Sequence, residues 1–311
     1  MANPLVAIIG VGATGTVLAA SLLGQNPETM LVVRRAEQRE EIKKNGIGIT
    51  GEINCHARVK NLLDNVSQVK EQKPDIIFIC TKTFHLASVL DSLTGVVGPK
   101  TRIVSAHNGL GTEDVVGEVF GAEKALRMSL NFGATLTGLC AAKVNFFNRP
   151  NHLGALVSEN REIGLRVARL FSEGGLDTEY VEDIKLNVWK KMIMKCTMAS
   201  ICAVTDKTIK EALELPATRE IADGCFAEAL AVAKAKGYDL GADYMKQALA
   251  YLEKVGVHKD SMCVDIANKT QTEIDFLGGK VVEYGREKGI PTPHYMTMAN
   301  LVRAMEHDYL R

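Results

Sequence analysis

The residues whose spacing most directly indicates chemistry lie in a glycine-rich turn with the pattern Gly-x-Gly-x-x-Gly. Four apolar residues, Val6–Ile9, precede the turn, and small and apolar residues follow it. In such a strand-turn-helix unit the first glycine permits a tight bend, the second lets the backbone approach a pyrophosphate, and the third lets the helix pack on the strand. The helix N-terminus offers N–H groups to the phosphates. We therefore predict that a dinucleotide is bound by the residues of this turn, Gly10, Gly12, Ala13, Thr14 and Gly15.

An ordinary glycine-rich turn is the alternative, because a glycine triplet alone is weak evidence. Its position between a strand-like run and a helix-like run favours the nucleotide site.

Two arginines follow the next apolar run. This run begins at Met30, is interpreted as the second strand, and ends in Arg34 and Arg35. An NAD-specific site usually has an acidic residue there, which holds the ribose 2′-hydroxyl, whereas a guanidinium pairs with a 2′-phosphate. We therefore predict NADPH as the cofactor, with Arg34 and Arg35 at its 2′-phosphate. The alternative is that the two arginines are merely solvated charges at a strand end.

The first half of the chain alternates between strand-like and helix-like segments. Runs at residues 74–81 and 101–106 are interpreted as further strands, each followed by a helical segment. This alternation predicts a doubly wound parallel sheet of the Rossmann type. Ligands bind beyond the carboxyl ends of the strands in such sheets, and Lys82 and Asn108 follow two of these ends. Both residues are therefore placed where a ligand binds.

Longer helical patterns dominate from about residue 183. We predict an α/β protein with two domains: an NADP(H)-binding Rossmann domain at residues 1–182 and an all-helical substrate and catalytic domain at residues 183–311. A chain of 311 residues agrees with two domains. The predicted helices of the second domain span residues 184–204, 217–236, 242–252 and 262–288.

Composition argues against several classes of function. Lys+Arg and Asp+Glu both number 37, so the net charge is near zero, unlike that of a general nucleic-acid binder. No apolar stretch is long enough to span a bilayer, and we expect no signal peptide. The seven cysteines lack Cys-x-x-Cys spacing, which favours reduced thiols in a cytoplasmic protein. The histidines lack metal-ligand spacing, so we expect no metal.

Several short motifs, taken in their order along the chain, resemble the ketopantoate reductase (2-dehydropantoate 2-reductase) family. Most are weak singly, whereas their order and spacing together are specific, and they extend over nearly the whole chain. The matching pieces are Gly10-x-Gly12-Ala13-x-Gly15, Arg34, Thr81-Lys82, Asn108-Gly109-Leu110-Gly111, Trp189-Lys190-Lys191, Ser261-Met262-x-x-Asp265, Thr272-Glu273-Ile274-Asp275 and Gly289-Ile290-Pro291-Thr292-Pro293.

This resemblance implies an enzyme that reduces the 2-oxo group of ketopantoate to pantoate with NADPH, a step toward coenzyme A. Lys191 matches the catalytic lysine of the family, and Glu273 matches its active-site glutamate. Asn108 and Lys82 match residues that line the nicotinamide and the substrate. Ser261 matches a substrate-binding serine.

Lys191 has the chemistry that such a reduction needs. Hydride addition to a ketone leaves negative charge on the carbonyl oxygen, which a proton donor or a fixed cation stabilises. Lys195 lies one turn further along the same predicted helix face. Glu273 is expected to orient Lys191, to hold a substrate hydroxyl or to relay a proton. Without the resemblance, these residues would be more typical of an exposed charged surface.

Four positions depart from the family pattern. The family usually has asparagine where this chain has Lys195 and Ala199, often asparagine at His258, and glutamine at His107. Lys195 offers only donors and a positive charge, and Ala199 leaves space, so we predict a substrate with more negative charge or a bulkier apolar group than ketopantoate. Otherwise ketopantoate is held by residues elsewhere. The substrate-binding candidates are Asn108, Lys195, His258 and Ser261.

Ser261 and Glu273 both fall within or beside the long helix predicted for residues 262–288. Twelve residues of straight helix would separate them by roughly 18 Å, too far to hold one small molecule. Both can therefore serve one site only if Ser261 lies in a turn before the helix or if the helix bends.

Two other functions stay open. One is a related NADP-dependent hydroxyacid dehydrogenase with a different 2-oxo acid substrate, and the other is a non-catalytic NADP(H)-binding regulator on the same scaffold. The expected partner is a small-molecule 2-oxo acid, with neither nucleic acid nor membrane, and the chain is compatible with a homodimer.

Overall fold

The structure is a computed structural model that describes residues 3–310. The described chain forms two compact units. The first contains the chain up to His107 together with Thr112–Ile184, and the second contains Asn108–Gly111 together with the chain from Lys185 onward. The predicted division at residue 182 therefore omits one feature, which is that the segment Asn108–Gly111 belongs to the second unit.

The first unit contains both sheets. In chain order its strands are β1 (Val6–Ile9), β2 (Met30–Val32), β3 (Ile47–Gly51), β4 (Cys55–Ala57), β5 (Asn61–Leu63), β6 (Ile76–Ile79), β7 (Arg102–Ser105), β8 (Ala125–Ser129), β9 (Phe132–Leu136), β10 (Ala141–Phe147), β11 (Asn151–Ala155) and β12 (Thr178–Tyr180). Its α-helices are α1 (Ala13–Leu23), α2 (Ala36–Asn45), α3 (Val69–Gln72), α4 (Leu86–Leu93), α5 (Thr112–Phe120) and α6 (Arg161–Glu173).

The main sheet has eight strands within the described residues, in the order β12-β11-β8-β7-β6-β1-β2-β5. Neighbouring strands are parallel except for β11 and β8, which are antiparallel. The α/β fold with a doubly wound, Rossmann-type parallel sheet is confirmed, and the antiparallel pair β11 and β8 is an addition to it. The exception arises because no helix connects β8 to β11, whereas parallel neighbours need such a crossover.

A second sheet of four strands, with the order β4-β3-β10-β9, was not predicted. From the sequence, residues 125–132 are predicted as a single strand. In the structure β8 ends at Ser129 and β9 begins at Phe132, in a different sheet. Asn131 marks the break, because its backbone N–H donates to Asn151 Oδ1 (2.7 Å) and its side chain donates to the carbonyl of Pro150 (2.5 Å).

Three neighbouring strands of the main sheet, β6, β1 and β2, are apolar at every position because both faces of the sheet are covered there. In β1, Val6 and Ile8 belong to the core cluster that contains residues of α1, whereas Ala7 and Ile9 belong to the cluster that contains residues of α4. All four side chains are almost completely buried. This burial on both sides is the reason that β1 lacks the alternating pattern of a half-exposed strand.

The second unit is helical. Its helices are α7 (Ile184–Thr205), α8 (Ile209–Glu214), α9 (Pro216–Ala235), α10 (Tyr244–Val255), α11 (Ser261–Ala267), α12 (Gly278–Lys288) and α13 (Pro293–His307). The single helix predicted at residues 262–288 is wrong. It is divided after α11, where Lys269 adopts a left-handed conformation (φ 53°), and a short 3-10 helix, Ile274–Phe276, precedes α12.

Within residues 3–310, no helix combines the length and the apolar character that crossing a membrane requires.

Candidate active site

The glycine turn has the geometry that a dinucleotide turn requires. Gly10 has a φ of 90°, and a Cβ at this residue would lie 2.8 Å from Cγ2 of Thr81. A Cβ on Gly15 would collide with the carbonyl oxygen of Gly10, whereas a Cβ on Gly12 would have no heavy atom within 4 Å. The packing of the chain itself therefore requires Gly10 and Gly15, while the space above Gly12 is open.

The N-terminus of α1 suits an anion. Gly12 is its N-cap and supplies no side-chain cap, and the first turn contains no acidic residue. Ala13 and Thr14, the first two helical residues, are half-buried. The first N–H groups of a helix have no partner within the helix, and the helix dipole favours negative charge there. The open space above Gly12 and this uncapped end together fit the pyrophosphate of a dinucleotide.

The two arginines that follow β2 are exposed. Arg35 Nη2 donates to Gln38 Oε1 (3.4 Å), and the buried Gln38 donates to the carbonyl of Val11 in the glycine turn (2.8 Å). Arg39 Nη1 donates to the carbonyl of Arg34 (2.6 Å) and to that of the preceding residue (2.8 Å). Gln38 therefore links Arg35 to the turn, and Arg39 holds the backbone of Arg34 in place.

Lys82 lies beside the glycine turn in the same unit. It follows β6, is half-buried and is the N-cap residue of the 3-10 helix Thr83–His85. The preceding residue, Thr81, packs against Gly10 closely enough to exclude a Cβ there. The structure thus brings Lys82 and the predicted pyrophosphate site together in the first unit.

A buried polar cluster at the end of β7 involves His107. Arg127, on β8, is 1% exposed and donates to the carbonyl of His107 (2.7 Å) and to Ser105 Oγ (3.1 Å). His107 Nδ1 shares a hydrogen bond with the same hydroxyl (2.8 Å), and Glu113 lies 3.6 Å from Arg127. Burial, followed by the Arg127 charge, lowers the pKa of His107 to about 3. The imidazole is therefore neutral near pH 7.

In the second unit, Asn108 lies next to Lys191. Lys191 is half-buried on α7, and its Nζ donates to Asn108 Oδ1 over 2.6 Å. The neighbouring Trp189 is 4% exposed and packs against Tyr238 and Tyr284, with ring centroids 5.9 and 6.0 Å apart. This aromatic packing fixes the part of α7 that carries Lys191, so the amine and the amide meet in a defined geometry.

The segment Asn108–Gly111 is held by the helical unit. Leu110 N–H donates to the carbonyl of Phe276 (2.9 Å), at the end of the 3-10 helix that follows Glu273. Gly111 has a φ of 72°, and a Cβ there would collide with the hydroxyl of Tyr284 on α12. The position and the backbone conformation of this segment are therefore fixed by close packing within the second unit.

Lys195 lies one turn after Lys191 and is paired with an acidic residue. Its Nζ lies 2.6 Å from Asp260 Oδ2 and 2.8 Å from Ser261 Oγ. Asp260 is the N-cap of α11, and its Oδ1 accepts from the N–H of Met262 (2.9 Å). The positive charge of Lys195 is therefore compensated by a fixed carboxylate, an arrangement that the sequence analysis did not anticipate.

The other two departures from the family pattern are also located in this unit. Ala199 is completely buried, so the space left by its short side chain is not open to solvent. His258 lies in the loop between α10 and α11, two residues before Asp260, with an exposed side chain. Its neighbours in the chain, Asp260 and Ser261, contact Lys195.

Glu273 and Ser261 do not lie on one straight helix. Ser261 is the first residue of α11, and the half-buried Glu273 is the N-cap of the 3-10 helix Ile274–Phe276. The break in the predicted helix removes the separation of roughly 18 Å that a straight helix would impose.

Four side chains that shape these sites were missed in the sequence analysis. Asp260 precedes an apolar run, which is an N-cap signal. Arg127 is a cation between the apolar residues Leu126 and Met128 of a strand, an unusual position that indicates a buried partner. Gln38 and Arg39 lie in the charged helix α2 and carry no local signal.

No group of three or more His, Cys, Asp or Glu side chains within residues 3–310 is arranged to hold a metal ion.

Two family descriptions together match most of the chain. Residues 6–157 match the family described as "Ketopantoate reductase PanE/ApbA", and residues 183–306 match "Ketopantoate reductase PanE/ApbA C terminal". A 2-dehydropantoate 2-reductase from Streptococcus pyogenes is 29% identical over 304 residues, which cover 97% of this chain and 98% of that protein.

Solved structures share the fold. D-mandelate dehydrogenase in complex with NADH and anilino(oxo)acetate superposes with a TM-score of 0.86 at 24% identity, over 98% of this chain and 99% of that one. A dimeric ketopantoate reductase from Staphylococcus aureus superposes with a TM-score of 0.80 at 21% identity, over 98% and 99% of the two chains. Because the two family matches include most of both compact units, the chain belongs to the ketopantoate reductase family of oxidoreductases.

Proposed function

We propose that this protein reduces a 2-oxo acid to the corresponding 2-hydroxy acid with NADPH, that 2-dehydropantoate is its substrate, and that Lys191 is the proton donor. The observation that carries the proposal is the contact between Lys191 Nζ and Asn108 Oδ1 (2.6 Å), which unites two residues that the family resemblance predicts for one site. The name of the Streptococcus pyogenes relative supports 2-dehydropantoate as the substrate.

The first unit supplies the cofactor site of this proposal. The glycine turn and the N-terminus of α1 bind the pyrophosphate, and Arg34 and Arg35 bind the 2′-phosphate of NADPH. Lys82, beside the turn, is a further cofactor-binding residue of this unit. Asn108, which belongs to the second unit, is also a candidate for cofactor binding. When bound, NADPH supplies the hydride that adds to the carbonyl carbon of the substrate.

Lys191 performs the protonation. As the carbonyl carbon gains a hydride, the electron pair of the C=O π bond moves to the oxygen, which takes a proton from Nζ of Lys191. Lys191 is left as a neutral amine that solvent reprotonates. Asn108 Oδ1 accepts a hydrogen bond from one of the three ammonium N–H groups, which orients the ammonium group and leaves its charge in place. Glu273 helps to position the ammonium or a substrate hydroxyl.

A second candidate is a hydroxyacid dehydrogenase for a different 2-oxo acid. Two observations favour it: Lys195 and Ala199 occupy positions where the resemblance predicts asparagine, and D-mandelate dehydrogenase has the same fold. Because Asp260 compensates the charge of Lys195 and Ala199 is buried, neither departure by itself creates a site for a second carboxylate or an open cavity.

The proposal includes the cellular setting. We place the protein in the cytoplasm, which the seven free cysteines support, all of them within the described residues. We also propose a homodimer, which the dimeric Staphylococcus aureus enzyme supports. Light scattering on the purified protein tests the second statement, and a monomeric mass would contradict it.

The experiment that tests the function is a panel of 2-oxo acids assayed by the loss of NADPH absorbance. The panel contains 2-dehydropantoate, phenylglyoxylate, 2-oxobutyrate and oxaloacetate. Reduction of 2-dehydropantoate with the highest kcat/KM supports the main proposal, and a preference for phenylglyoxylate supports the second candidate. No turnover with any acid, together with tight NADPH binding, would indicate a regulator instead.

A further inference from the structure

The ion pair between Lys195 and Asp260 lies in a sheltered position in the second unit. The side chains are 18% and 7% exposed, and the charged atoms are 2.6 Å apart. Such a pair is screened by water and salt far less than a pair on the surface. The electrostatic attraction between Lys195 and Asp260 is therefore stronger than that of a surface ion pair, and it holds the two side chains in a defined geometry.

Asp260 is itself held in place. Its Oδ1 accepts from the N–H of Met262 (2.9 Å) as the N-cap of α11, and its side chain is mostly buried. The other carboxylate oxygen, Oδ2, therefore faces Lys195 without freedom to rotate. Asp260 fixes where the ammonium of Lys195 lies.

The contact between Lys195 and Ser261 fixes the direction of a hydroxyl group. An ammonium group has three protons and no lone pair, so Ser261 Oγ must accept the bond of 2.8 Å. The hydroxyl proton of Ser261 consequently points away from Lys195. Within residues 3–310, neither this proton nor the third ammonium proton of Lys195 has an acceptor in the structure. Two donors thus lie side by side, both partly open to solvent.

We propose that Lys195 and Ser261 bind the single carboxylate of the 2-oxo acid, and that Asp260 is a positioning residue which also makes this site selective for monocarboxylic substrates. The 2.8 Å between the two donor atoms suits a carboxylate, which accepts one hydrogen bond at each oxygen. Asp260 cancels the charge of Lys195, so a second carboxylate on the substrate gains no net attraction. This inference rests on the proposed function for the identity of the ligand.

This assignment changes what Lys195 does for specificity. A lysine in place of asparagine, considered alone, favours a substrate with additional negative charge. With Asp260 beside it, the same lysine acts as an oriented hydrogen-bond donor, and a dicarboxylate would meet the carboxylate of Asp260 as well as the ammonium. Selectivity therefore depends on Asp260.

The test compares oxamate, a monocarboxylate, with oxalate, a dicarboxylate, by calorimetry in the presence of NADPH, which neither ligand oxidises. The variant is Asp260→Asn, because asparagine keeps the N-cap oxygen and removes the charge. We expect Asp260→Asn to shift the ratio of the two dissociation constants toward oxalate by about tenfold, equivalent to about 1.4 kcal/mol. The ratio of kcat/KM for 2-oxobutyrate and oxaloacetate should shift in the same direction.

The matched control is Asp206→Asn. Asp206 forms an equally short ion pair with Lys259 (2.6 Å), but its side chain is 77% exposed and it lies outside the proposed site. This control should leave the ratio unchanged. Ser261→Ala should weaken the binding of oxamate and the binding of oxalate by the same factor, because the substitution removes one hydrogen-bond donor and no charge. Thermal midpoints of all variants verify that they are folded.

Three results would overturn the inference: no oxamate binding by the unmutated protein, an unchanged ratio in Asp260→Asn, or an equal shift in Asp206→Asn. Failure of the proposed function looks different, since it would leave the binding ratios as expected while no 2-oxo acid is reduced.

Discussion

Lys191 and Asn108 are 83 residues apart in the sequence, yet the lysine Nζ donates to the asparagine Oδ1 over 2.6 Å. The contact exists because the short segment Asn108–Gly111 follows β7 of the sheet unit but is packed within the helical unit. A residue at the end of a strand is in this way placed against the helix that carries the proposed proton donor. The arrangement brings the two residues of the proposed site into contact although they are distant in the sequence.

Lys191→Ala should lower kcat by the ~10²–10⁴-fold typical of a lost general acid. The dissociation constant for NADPH, measured by fluorescence, should change by no more than a few fold, because the phosphate-binding residues lie in the other unit. Lys190→Ala is the control, since Lys190 is the adjacent exposed lysine on the same helix and contributes only its carbonyl to the contact with Tyr244. Turnover within a few fold of the unmutated rate in Lys191→Ala would refute this assignment.

Substitutions of two glycines in the turn should separate folding from cofactor binding. Gly12→Ala should leave the thermal midpoint unchanged, because the backbone is extended (φ −83°) and the added Cβ meets no atom within 4 Å. It should weaken NADPH binding by roughly tenfold or more, about 1.4 kcal/mol, because the methyl group occupies the proposed pyrophosphate position. Gly15→Ala should instead lower the stability by about 1–3 kcal/mol, because its Cβ collides with the carbonyl of Gly10.

Differential scanning fluorimetry and a fluorescence titration measure the two quantities. NADPH affinity that is unaffected in a well-folded Gly12→Ala variant would place the cofactor elsewhere.

The preference for NADPH over NADH should depend on Arg34. We expect NADPH to bind more tightly than NADH, and we expect Arg34→Asp to reduce or reverse the difference, because a carboxylate repels the 2′-phosphate and accepts a bond from the ribose hydroxyl. Arg169→Asp serves as the control, since Arg169 is an exposed arginine on α6 of the same unit. Equal affinities of the unmutated protein for the two cofactors would be inconsistent with this assignment.

Acid should destabilise the sheet unit through His107. The buried imidazole has a pKa of about 3 in the folded protein against an ordinary value of 6.5, so between these values the unfolded chain binds a proton that the folded chain does not. The free energy of unfolding should therefore fall as the pH decreases below about 6.5, by up to ~1.4 kcal/mol per pH unit from this group. Above that pH both states are neutral, and the contribution is constant.

His107→Gln should reduce this slope in urea titrations performed from about pH 7.5 down to about pH 5. His85→Gln is the matched control, because His85 lies in the same unit with an exposed side chain. An identical pH dependence of the unmutated protein and His107→Gln would show that the buried imidazole takes up its proton in the folded state.

The sequence predicted those parts of the fold that local patterns determine. The apolar run of β1, the glycine turn and the start of α1 are adjacent in the chain, so their interpretation needed no distant partner. The separation of β8 from β9 was missed because residues 125–132 contain neither glycine nor proline to mark a turn, and the break depends on hydrogen bonds from Asn131 to residues 150 and 151. The helix α13 was missed as well, although Pro293 at its first turn is a helix-start signal.

Those residues of the candidate site that belong to the family motifs could be predicted from the sequence. Lys191, Asn108, Ser261 and Glu273 were singled out through the family resemblance, and their roles stay predictions until they are tested. The partnership of Lys195 with Asp260 joins residues 65 apart, and no periodicity within either segment reveals it. Charge compensation of this kind is a property of the folded chain, and for that reason the predicted preference for a more negatively charged substrate overlooked it.

The most direct test of the central claim is a steady-state assay of the purified protein with NADPH and 2-dehydropantoate, beside Lys191→Ala and Lys190→Ala. The account predicts stoichiometric oxidation of NADPH with formation of pantoate, a loss of ~10²–10⁴-fold in kcat for Lys191→Ala, and little change for Lys190→Ala. Absence of NADPH oxidation with 2-dehydropantoate and every other 2-oxo acid of the panel, in a protein that binds NADPH, would contradict it.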